Sequence, residues 1–162
     1  HLRMKTLPCG FTLIELLAVL AMIAILALMA IPSYMDRIVR QQIEAALPLA
    51  DIAKKPVADS WAQLQPFPTD NAAAALPVAE KIVNNHVSSL AIEEGAIQIT
   101  LGNRVNKAIL GKVITLRPAV VADAPVVPVA WVCGNAQGPE KMTVNGVNRT
   151  NVPNTFLPLA CR

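Results

Sequence analysis

The sequence predicts an α+β protein in which a long N-terminal helix packs on a small antiparallel sheet. Two observations carry this prediction: a long apolar run near the N-terminus leads into helical periodicity, and later segments alternate apolar and polar residues as strands do. Thirteen prolines against seven glycines, scattered without period, exclude collagen and argue against one uninterrupted helical bundle. With 54% apolar and 15% charged residues, the chain is also too apolar to be disordered.

The apolar run covers residues 11–31 and is interrupted only by Thr12 and Glu15. As a helix, its 21 residues would span about 31 Å, which matches the hydrocarbon thickness of a bilayer. A buried core helix is disfavoured because no other segment is apolar enough to surround it, and a cleaved secretory signal would have a shorter apolar region. Since Arg3 and Lys5 precede the run, we expect a cytoplasmic N-terminus and an exported remainder.

Glu15 is the anomaly in this run, because an acidic group inside a membrane helix costs about 2.5–3.5 kcal/mol on insertion scales. Such residues usually have a partner and a function. The alternative is that Glu15, close to the start of the run, reaches the headgroup region instead. Its position alone does not separate these two interpretations.

Beyond the membrane segment, helical periodicity continues from residue 36 to about residue 64. Apolar side chains recur every three or four residues and predict a stripe that faces a core: Leu49, Ala53, Val57, Trp61 and Leu64. Because proline lacks a backbone donor, we expect the helix to bend or step at Pro32, Pro48 and Pro56.

The second half of the chain is typical of strands and turns. A loop is predicted over residues 65–76 and a short helix or turn over residues 78–90. Three alternating, β-branched segments then predict an antiparallel sheet: residues 96–101, residues 112–117, and residues 126–133 with an interruption at Pro128. The apolar surface of the long helix exceeds what such a head could cover, which indicates assembly with other copies.

Residues 7–17, Leu-Pro-Cys-Gly-Phe-Thr-Leu-Ile-Glu-Leu-Leu, resemble the processing site of type IV prepilins. In that family a short basic leader ends in Gly before Phe-Thr-Leu-Ile-Glu and an apolar helix. The resemblance, to the type IVa major pilin branch, continues along the chain in residues 30–34, 66–74, 131–133 and 157–162. One departure is Ala24, where many members carry glycine. If Met4 is the true start, the leader runs from Met4 to Gly10.

The resemblance implies three parts: a leader of residues 1–10, a membrane-spanning and filament-core helix of residues 11–31, and an exported head of residues 32–162. It implies that a prepilin peptidase cuts between Gly10 and Phe11 and methylates the new amine of Phe11. An inner-membrane assembly machine would then move the subunit into a helical homopolymer. There Glu15 would pair with the Phe11 amine of a neighbouring copy, a charge-assisted bond that is strong in apolar surroundings.

The resemblance also implies a disulfide-bounded C-terminal region. Cys9 would be lost with the leader, and an oxidising compartment favours pairing of the remaining Cys133 and Cys161. The bridge would contribute about 3–4 kcal/mol and would hold the C-terminus on the third predicted strand. A metal or redox pair is the alternative, but there is no CxxC motif and His86 is the only histidine after the leader.

Charge is divided between the two halves of the exported chain. Residues 11–94 carry a net charge of −4 and residues 95–162 a net charge of +5. Four cations fall in a segment without acids: Arg104, Lys107, Lys112 and Arg117. They could form a basic face that attracts DNA, an anionic surface or a neighbour's acidic helix. The sequence favours the alternative, a solvated sheet edge kept from pairing by its charges, because no aromatic residue interleaves the cluster for base stacking.

These features predict a structural subunit of a type IV pilus, a filament that in this family supports adhesion, twitching motility and DNA uptake. The alternatives are a minor pilin acting as a DNA receptor and a type II secretion pseudopilin, a class that usually lacks the C-terminal disulfide. The chain has no GxSxG, P-loop or HExxH motif, so no enzyme activity, catalytic residue, cofactor or metal is predicted. The expected location is the bacterial inner membrane for the precursor and the extracellular pilus after assembly.

Overall fold

The computed structural model describes residues 9–162, which form two compact units that meet in sequence between Met35 and Asp36. The helices and strands are α1 (Leu13–Ala46), α2 (Asp51–Ala62), β1 (Val87–Glu93), β2 (Ala96–Leu101), β3 (Val113–Val120), β4 (Ala130–Cys133) and β5 (Thr143–Val144). Short 3-10 helices cover Leu47–Ala50, Ala79–Lys81, Asn154–Phe156 and Leu159–Cys161. The predicted α+β class is confirmed: a long N-terminal helix precedes a small antiparallel sheet, and a disulfide bounds the C-terminal region.

The prolines of the long helix act differently from one another. α1 continues through Pro32 and α2 continues through Pro56. The helix type changes only around Pro48, where the 3-10 turn Leu47–Ala50 separates the two α-helices. Pro48 lies at the start of that turn, where its missing N–H leaves no intrahelical bond unmade. A step at Pro48 is therefore confirmed, whereas the helix is uninterrupted at the other two prolines.

The helical stripe that faces the core differs in phase from the predicted one. Ala53 and Val57 are buried as expected, but Leu49 and Trp61 are only half-buried. Leu64 is 79% exposed, so its assignment to the stripe is wrong. α2 ends two residues earlier and Leu64 has a positive φ of 59°, so helical spacing does not extend to it. The buried set runs further towards the N-terminus: Val39, Ile43, Ala46, Ala50, Ala53 and Val57.

The sheet is antiparallel, in the order β1-β2-β3-β4, with β5 paired to β3. β2 occupies the predicted residues, β3 is longer than predicted and β4 is shorter. One register position joins Leu90, Ile99 and Ile114 across three strands, and all three side chains are fully buried. These residues and the buried helical stripe belong to one core cluster, so the head is a helix packed on a sheet.

The prediction of a short helix or turn over residues 78–90 is wrong at its C-terminal end. Only Ala79–Lys81 form a 3-10 turn, and β1 begins at Val87. Two consecutive serines weaken the apolar alternation of this strand, so the sequence pattern hides it. Pairing with β2 buries Val87 and Leu90 completely, and this tertiary burial overrides the weak local preference.

One side chain covers the outer edge of β1. Asn71, in the loop after α2, donates from Nδ2 to the carbonyl oxygens of Leu90 (2.9 Å) and Pro77 (3.0 Å). Its Oδ1 accepts from the backbone N–H of Ile92 at 2.6 Å. The amide thus replaces the neighbouring strand that an edge lacks. Asn71 is only 8% exposed, so these bonds are shielded from water.

A disulfide and a polar network hold the C-terminal region on the sheet. Cys133, the last residue of β4, is bonded to Cys161, as predicted, with the two Cα atoms 4.6 Å apart. The intervening chain passes Thr115, whose hydroxyl donates to Gln98 Oε1 (2.6 Å) and accepts from the backbone N–H of Arg149 (2.9 Å). Thr115 is fully buried although it points away from the helix-facing side of β3. The C-terminal segment therefore covers the second face of the sheet.

An ion pair on the surface ties the same segment to β1. Arg149 Nη2 lies 2.6 Å from Glu93 Oε1, and Arg149 Nε donates to Glu93 Oε2 at 2.8 Å. These hydrogen bonds are the main reason that the pKa of Glu93 is held below its ordinary value; desolvation opposes them, and the guanidinium charge adds a smaller lowering. Both side chains are partly exposed, so water and salt screen the pair.

Asn71→Ala should lower the free energy of unfolding by about 2–4 kcal/mol, because it leaves the buried carbonyl oxygen of Leu90 and the N–H of Ile92 without hydrogen-bond partners. The matched control is Asn145→Ala, whose side chain makes one exposed hydrogen bond of 3.3 Å, and its effect should be small. Denaturant unfolding of the full chain in detergent micelles measures both. Equal stability of the two variants would show that Asn71 does not secure the edge.

Glu93→Gln should reduce the dependence of stability on pH below the ordinary glutamate pKa of 4.5. Because folding lowers the pKa of Glu93, its contribution is full above that value and is lost as the pH falls through the lower folded value. Thermal unfolding of the full chain at a series of acidic pH values, in low and high salt, measures the difference. A variant with an unchanged pH profile would contradict the assignment.

Candidate assembly site

The N-terminal unit presents apolar side chains on all faces of its helix. Every residue from Cys9 to Met35 is exposed, and no part of the most apolar 18-residue window of the helix is buried. Exposure is high even for the largest apolar side chains, such as Phe11 (79%) and Met29 (72%). By length and composition this helix is long and apolar enough to cross a membrane. Lipid or other apolar helices must therefore cover this surface.

Thr12 and Glu15 close the start of this helix with two reciprocal hydrogen bonds. The backbone N–H of Thr12 donates to Glu15 Oε2 at 3.1 Å, and the backbone N–H of Glu15 donates to Thr12 Oγ1 at 3.2 Å. This arrangement is a capping box, which satisfies two donors that a helix start otherwise leaves free. The sequence pattern of a capping box is present here, a threonine followed three residues later by glutamate before an apolar run, so Thr12 has a role that was not predicted.

Gly10 and Phe11 precede the helix in an exposed segment without regular secondary structure. A Cβ atom placed on Gly10 would have no neighbour within 4 Å, so packing within the chain does not explain why this residue is glycine. Cys9 is exposed and is a free thiol. The predicted leader residues before Cys9, including Met4 as the start and the flanking Arg3 and Lys5, lie outside the described residues.

The four cations of the predicted basic cluster are spread along the sheet. Arg104 and Lys107 are exposed in the β2–β3 loop, residues 102–112, and Lys112 is half-buried where this loop enters β3. Arg117 is half-buried further along β3, beyond the residues that pair with β2. Within residues 9–162, no ion pair involves any of the four. The loop cations thus lie together, and Arg117 lies apart from them along the strand.

The described residues include no group of three histidine, cysteine, aspartate or glutamate side chains arranged to hold a metal ion. The cavities of the head are shallow. One of about 310 Å³ lies beside the edge of β1 and is lined by residues including Asn71, Leu76 and Ile92. Its lining is mostly apolar and includes the edge-covering Asn71.

Two family models match this chain. The model of bacterial filament pilins matches residues 39–162, and that of the prokaryotic N-terminal methylation motif matches residues 8–31. The head and the N-terminal helix are therefore matched separately, and each match falls where the corresponding structural feature lies.

Two relatives match over nearly the whole length of this chain, and a third matches over part of it. The type IV major pilin protein PilE of Neisseria gonorrhoeae is 33% identical over 166 aligned residues, which cover 98% of this chain and 96% of that protein. A fimbrial protein of Neisseria meningitidis serogroup A is 31% identical over 168 residues with the same coverage. The type IV major fimbrial protein FimA of Dichelobacter nodosus is 53% identical over 57 residues, covering 35% of this chain and 36% of that protein.

A wholly exposed apolar helix followed by a small, disulfide-closed α+β head defines a filament-subunit class of protein. The chain belongs to the pilin family, as a type IV pilin structural subunit. Proteins of this family are structural and are not enzymes. The prediction of a pilin is confirmed, while the roles of Gly10, Phe11, Glu15 and the basic cluster stay predictions.

Proposed function

We propose that this protein is the major subunit of a type IV pilus, which polymerises through its N-terminal helix into filaments for adhesion, twitching motility and DNA uptake. The observation that carries the proposal is the apolar surface of residues 11–35, every residue of which is exposed. A single chain cannot cover that surface, whereas a bundle of identical helices can. Two relatives that are named major pilins support the same assignment, since the alignment covers 96% and 89% of their lengths.

The precursor waits in the bacterial inner membrane with its head outside the cytoplasm. A prepilin peptidase cuts between Gly10 and Phe11 and methylates the new Phe11 amine, and an inner-membrane assembly machine then extracts the subunit into the extracellular pilus. The match to the N-terminal methylation motif supports this processing. So does the exposure of the chain around Gly10, because a peptidase needs an accessible backbone free of side-chain obstruction.

Glu15 has two roles in this route. In the precursor, its carboxylate accepts the Thr12 N–H and completes the helix cap. In the filament, it pairs with the Phe11 amine of a neighbouring copy, an amine that exists only after cleavage. The cap bond joins a neutral backbone N–H to a charged carboxylate and is exposed. The ion pair would join two full charges between apolar helices, where the attraction is stronger. Assembly therefore exchanges one partner of Glu15 for a better one and fixes the axial register.

A second candidate function is that of a minor pilin acting as a DNA receptor. The exposed Arg104 and Lys107, which form no ion pair within the described residues, favour it. Specific affinity of the detergent-solubilised protein for one DNA sequence would support the receptor. Weak binding that fades with salt would mark ordinary attraction of cations for phosphates.

Gly10→Val should leave full-length precursor in the membrane, because a branched side chain obstructs the backbone that the peptidase must grip. Gly10 has no packing neighbour, so the variant should fold normally. Immunoblots of membrane fractions measure the uncleaved fraction, and Ala45→Val, at an exposed position of α1, serves as a control for expression. Normal maturation of Gly10→Val would overturn the proposed processing site.

Three variants separate the two roles of Glu15. Glu15→Gln keeps the capping box, since glutamine can take the same position, but removes the charge. Thr12→Val removes the hydroxyl that accepts the Glu15 N–H but keeps the carboxylate, its charge and its bond to the N–H of residue 12. Glu15→Val removes the charge and the bond from the carboxylate to the Thr12 N–H. We expect filaments to be lost or sharply reduced in both Glu15 variants and to persist in Thr12→Val.

The experiment expresses each variant in a strain without the native gene and measures precursor cleavage and sheared surface filaments together. Cleavage should persist in all three, since the peptidase reads Gly10, and Glu15→Val should insert in the membrane at least as well as the native chain. Abundant filaments from Glu15→Gln, together with a loss of filaments in Thr12→Val, would show that assembly depends on the capping box and not on the charge of Glu15. Abundant filaments from Glu15→Val would show that helix packing suffices.

A further inference from the structure

We propose that the β2–β3 loop, residues 102–112, is a contact for anionic lipid headgroups of the membrane that holds the subunit before assembly. The inference rests on the proposed membrane-anchored precursor and goes beyond it by assigning a lipid-binding surface to the head. It is carried by the charge, the exposed apolar side chain and the tethering of this loop.

The loop combines uncommitted cations with an exposed apolar side chain. Arg104 and Lys107 are exposed, Lys112 is half-buried, and none of them has an ion-pair partner in the described part of the chain. Leu110, between the two lysines, is 52% exposed. Cations together with an accessible apolar residue are the combination that binds the headgroup and upper acyl region of a membrane surface.

The loop is held in one conformation by its own contacts. Ile109 is fully buried and Val105 nearly so, which fixes both sides of the loop on the core. The backbone N–H of Gly111 donates to the carbonyl oxygen of Leu101 at 2.8 Å, and Gly111 has a positive φ of 75° that suits glycine. Leu110 is thus exposed by a defined turn and not by a loose segment.

The loop is also tied to the part of the head nearest in sequence to the membrane segment. The backbone N–H of Asn106 donates to Gln42 Oε1 on α1 at 2.8 Å. Gln42 is eleven residues after Ile31, so even a fully extended chain would keep the loop within about 40 Å of the end of the membrane segment. A tether this short gives the loop a high effective concentration at the lipid surface.

The surrounding charges leave the loop basic. The neighbouring part of α1 carries Asp36 and Glu44 against Arg37 and Arg40, so its own charges cancel. DNA is a poorer occupant than lipid, because the loop has no aromatic side chain on which bases could stack and Leu110 gains nothing beside phosphates. An acidic face of a second copy would pair with the cations but would leave Leu110 without an apolar partner.

The test places an environment-sensitive dye on Leu110→Cys in the full chain, with Cys9→Ser to remove the free thiol and the Cys133–Cys161 bridge kept oxidised. The protein is reconstituted in vesicles of phosphatidylcholine alone or mixed with phosphatidylglycerol, each with a nitroxide-labelled lipid as quencher. The positional control is the same dye on Val126→Cys, which is 89% exposed in the β3–β4 connection.

We expect lipid quenching at position 110 that rises with phosphatidylglycerol content and stays near background at position 126. Lys107→Gln should weaken the contact about fivefold, the factor expected for one cation near an anionic surface. Lys81→Gln, a matched change at an exposed lysine outside the loop, should not.

Equal quenching at both positions, or quenching that ignores lipid charge, would overturn the inference while leaving the pilus function intact. Quenching that scales with protein density instead of lipid charge would assign the loop to a contact between copies and would also overturn it. A chain that fails to insert in any vesicle would remove the membrane-anchored precursor on which both proposals rest.

Discussion

The constraint on which this molecule depends is that its N-terminal helix has no polar face. Residues 11–35 expose apolar side chains all round. Such a surface is stable only in lipid or among other helices like it. A pilin meets both conditions in turn, and the proposed filament core offers the helix the same apolar surroundings that the bilayer did.

In the proposed filament, subunits associate through this helix and not through the sheet of the head. An antiparallel sheet has two edges that can pair with other chains. At the β1 edge, Asn71 occupies the backbone groups of Leu90 and Ile92. At the β4 end, the Cys133–Cys161 bridge brings the C-terminus against the strand. With the β1 edge partly covered by Asn71, that edge has less tendency to join copies by strand pairing, which would compete with helical assembly.

Local patterns in the sequence predicted the long helix, three of the strands and the disulfide, because each is marked by residues close together in the chain or by a family motif. The missed features depend on distant partners. β1 contains two serines and becomes a strand by pairing with β2, and the partners of Asn71 lie about twenty residues further on. The predicted helical stripe included the half-buried Leu49 and Trp61, because several apolar faces of the helix satisfy helical spacing and only packing on the sheet selects the buried one, which keeps regular spacing from Val39 to Val57. The capping box of Thr12 and Glu15 is an exception, because its Thr-x-x-Glu pattern is local and present in the sequence, although only the charge of Glu15 was interpreted.

That local role changes the energetic argument for Glu15. A bare carboxylate in a membrane helix costs about 2.5–3.5 kcal/mol, and a helix cap returns about 1 kcal/mol of that cost. The cap therefore offsets part of the free-energy cost of inserting Glu15 in the membrane without neutralising its charge, and most of that cost remains. In the proposed filament, a neighbour's Phe11 amine can offset this cost only after the peptidase has released it. In the proposed route, cleavage thus creates the Phe11 amine, and pairing with this amine makes the Glu15 carboxylate stabilising. Processing is therefore a physical requirement for assembly as well as an earlier step.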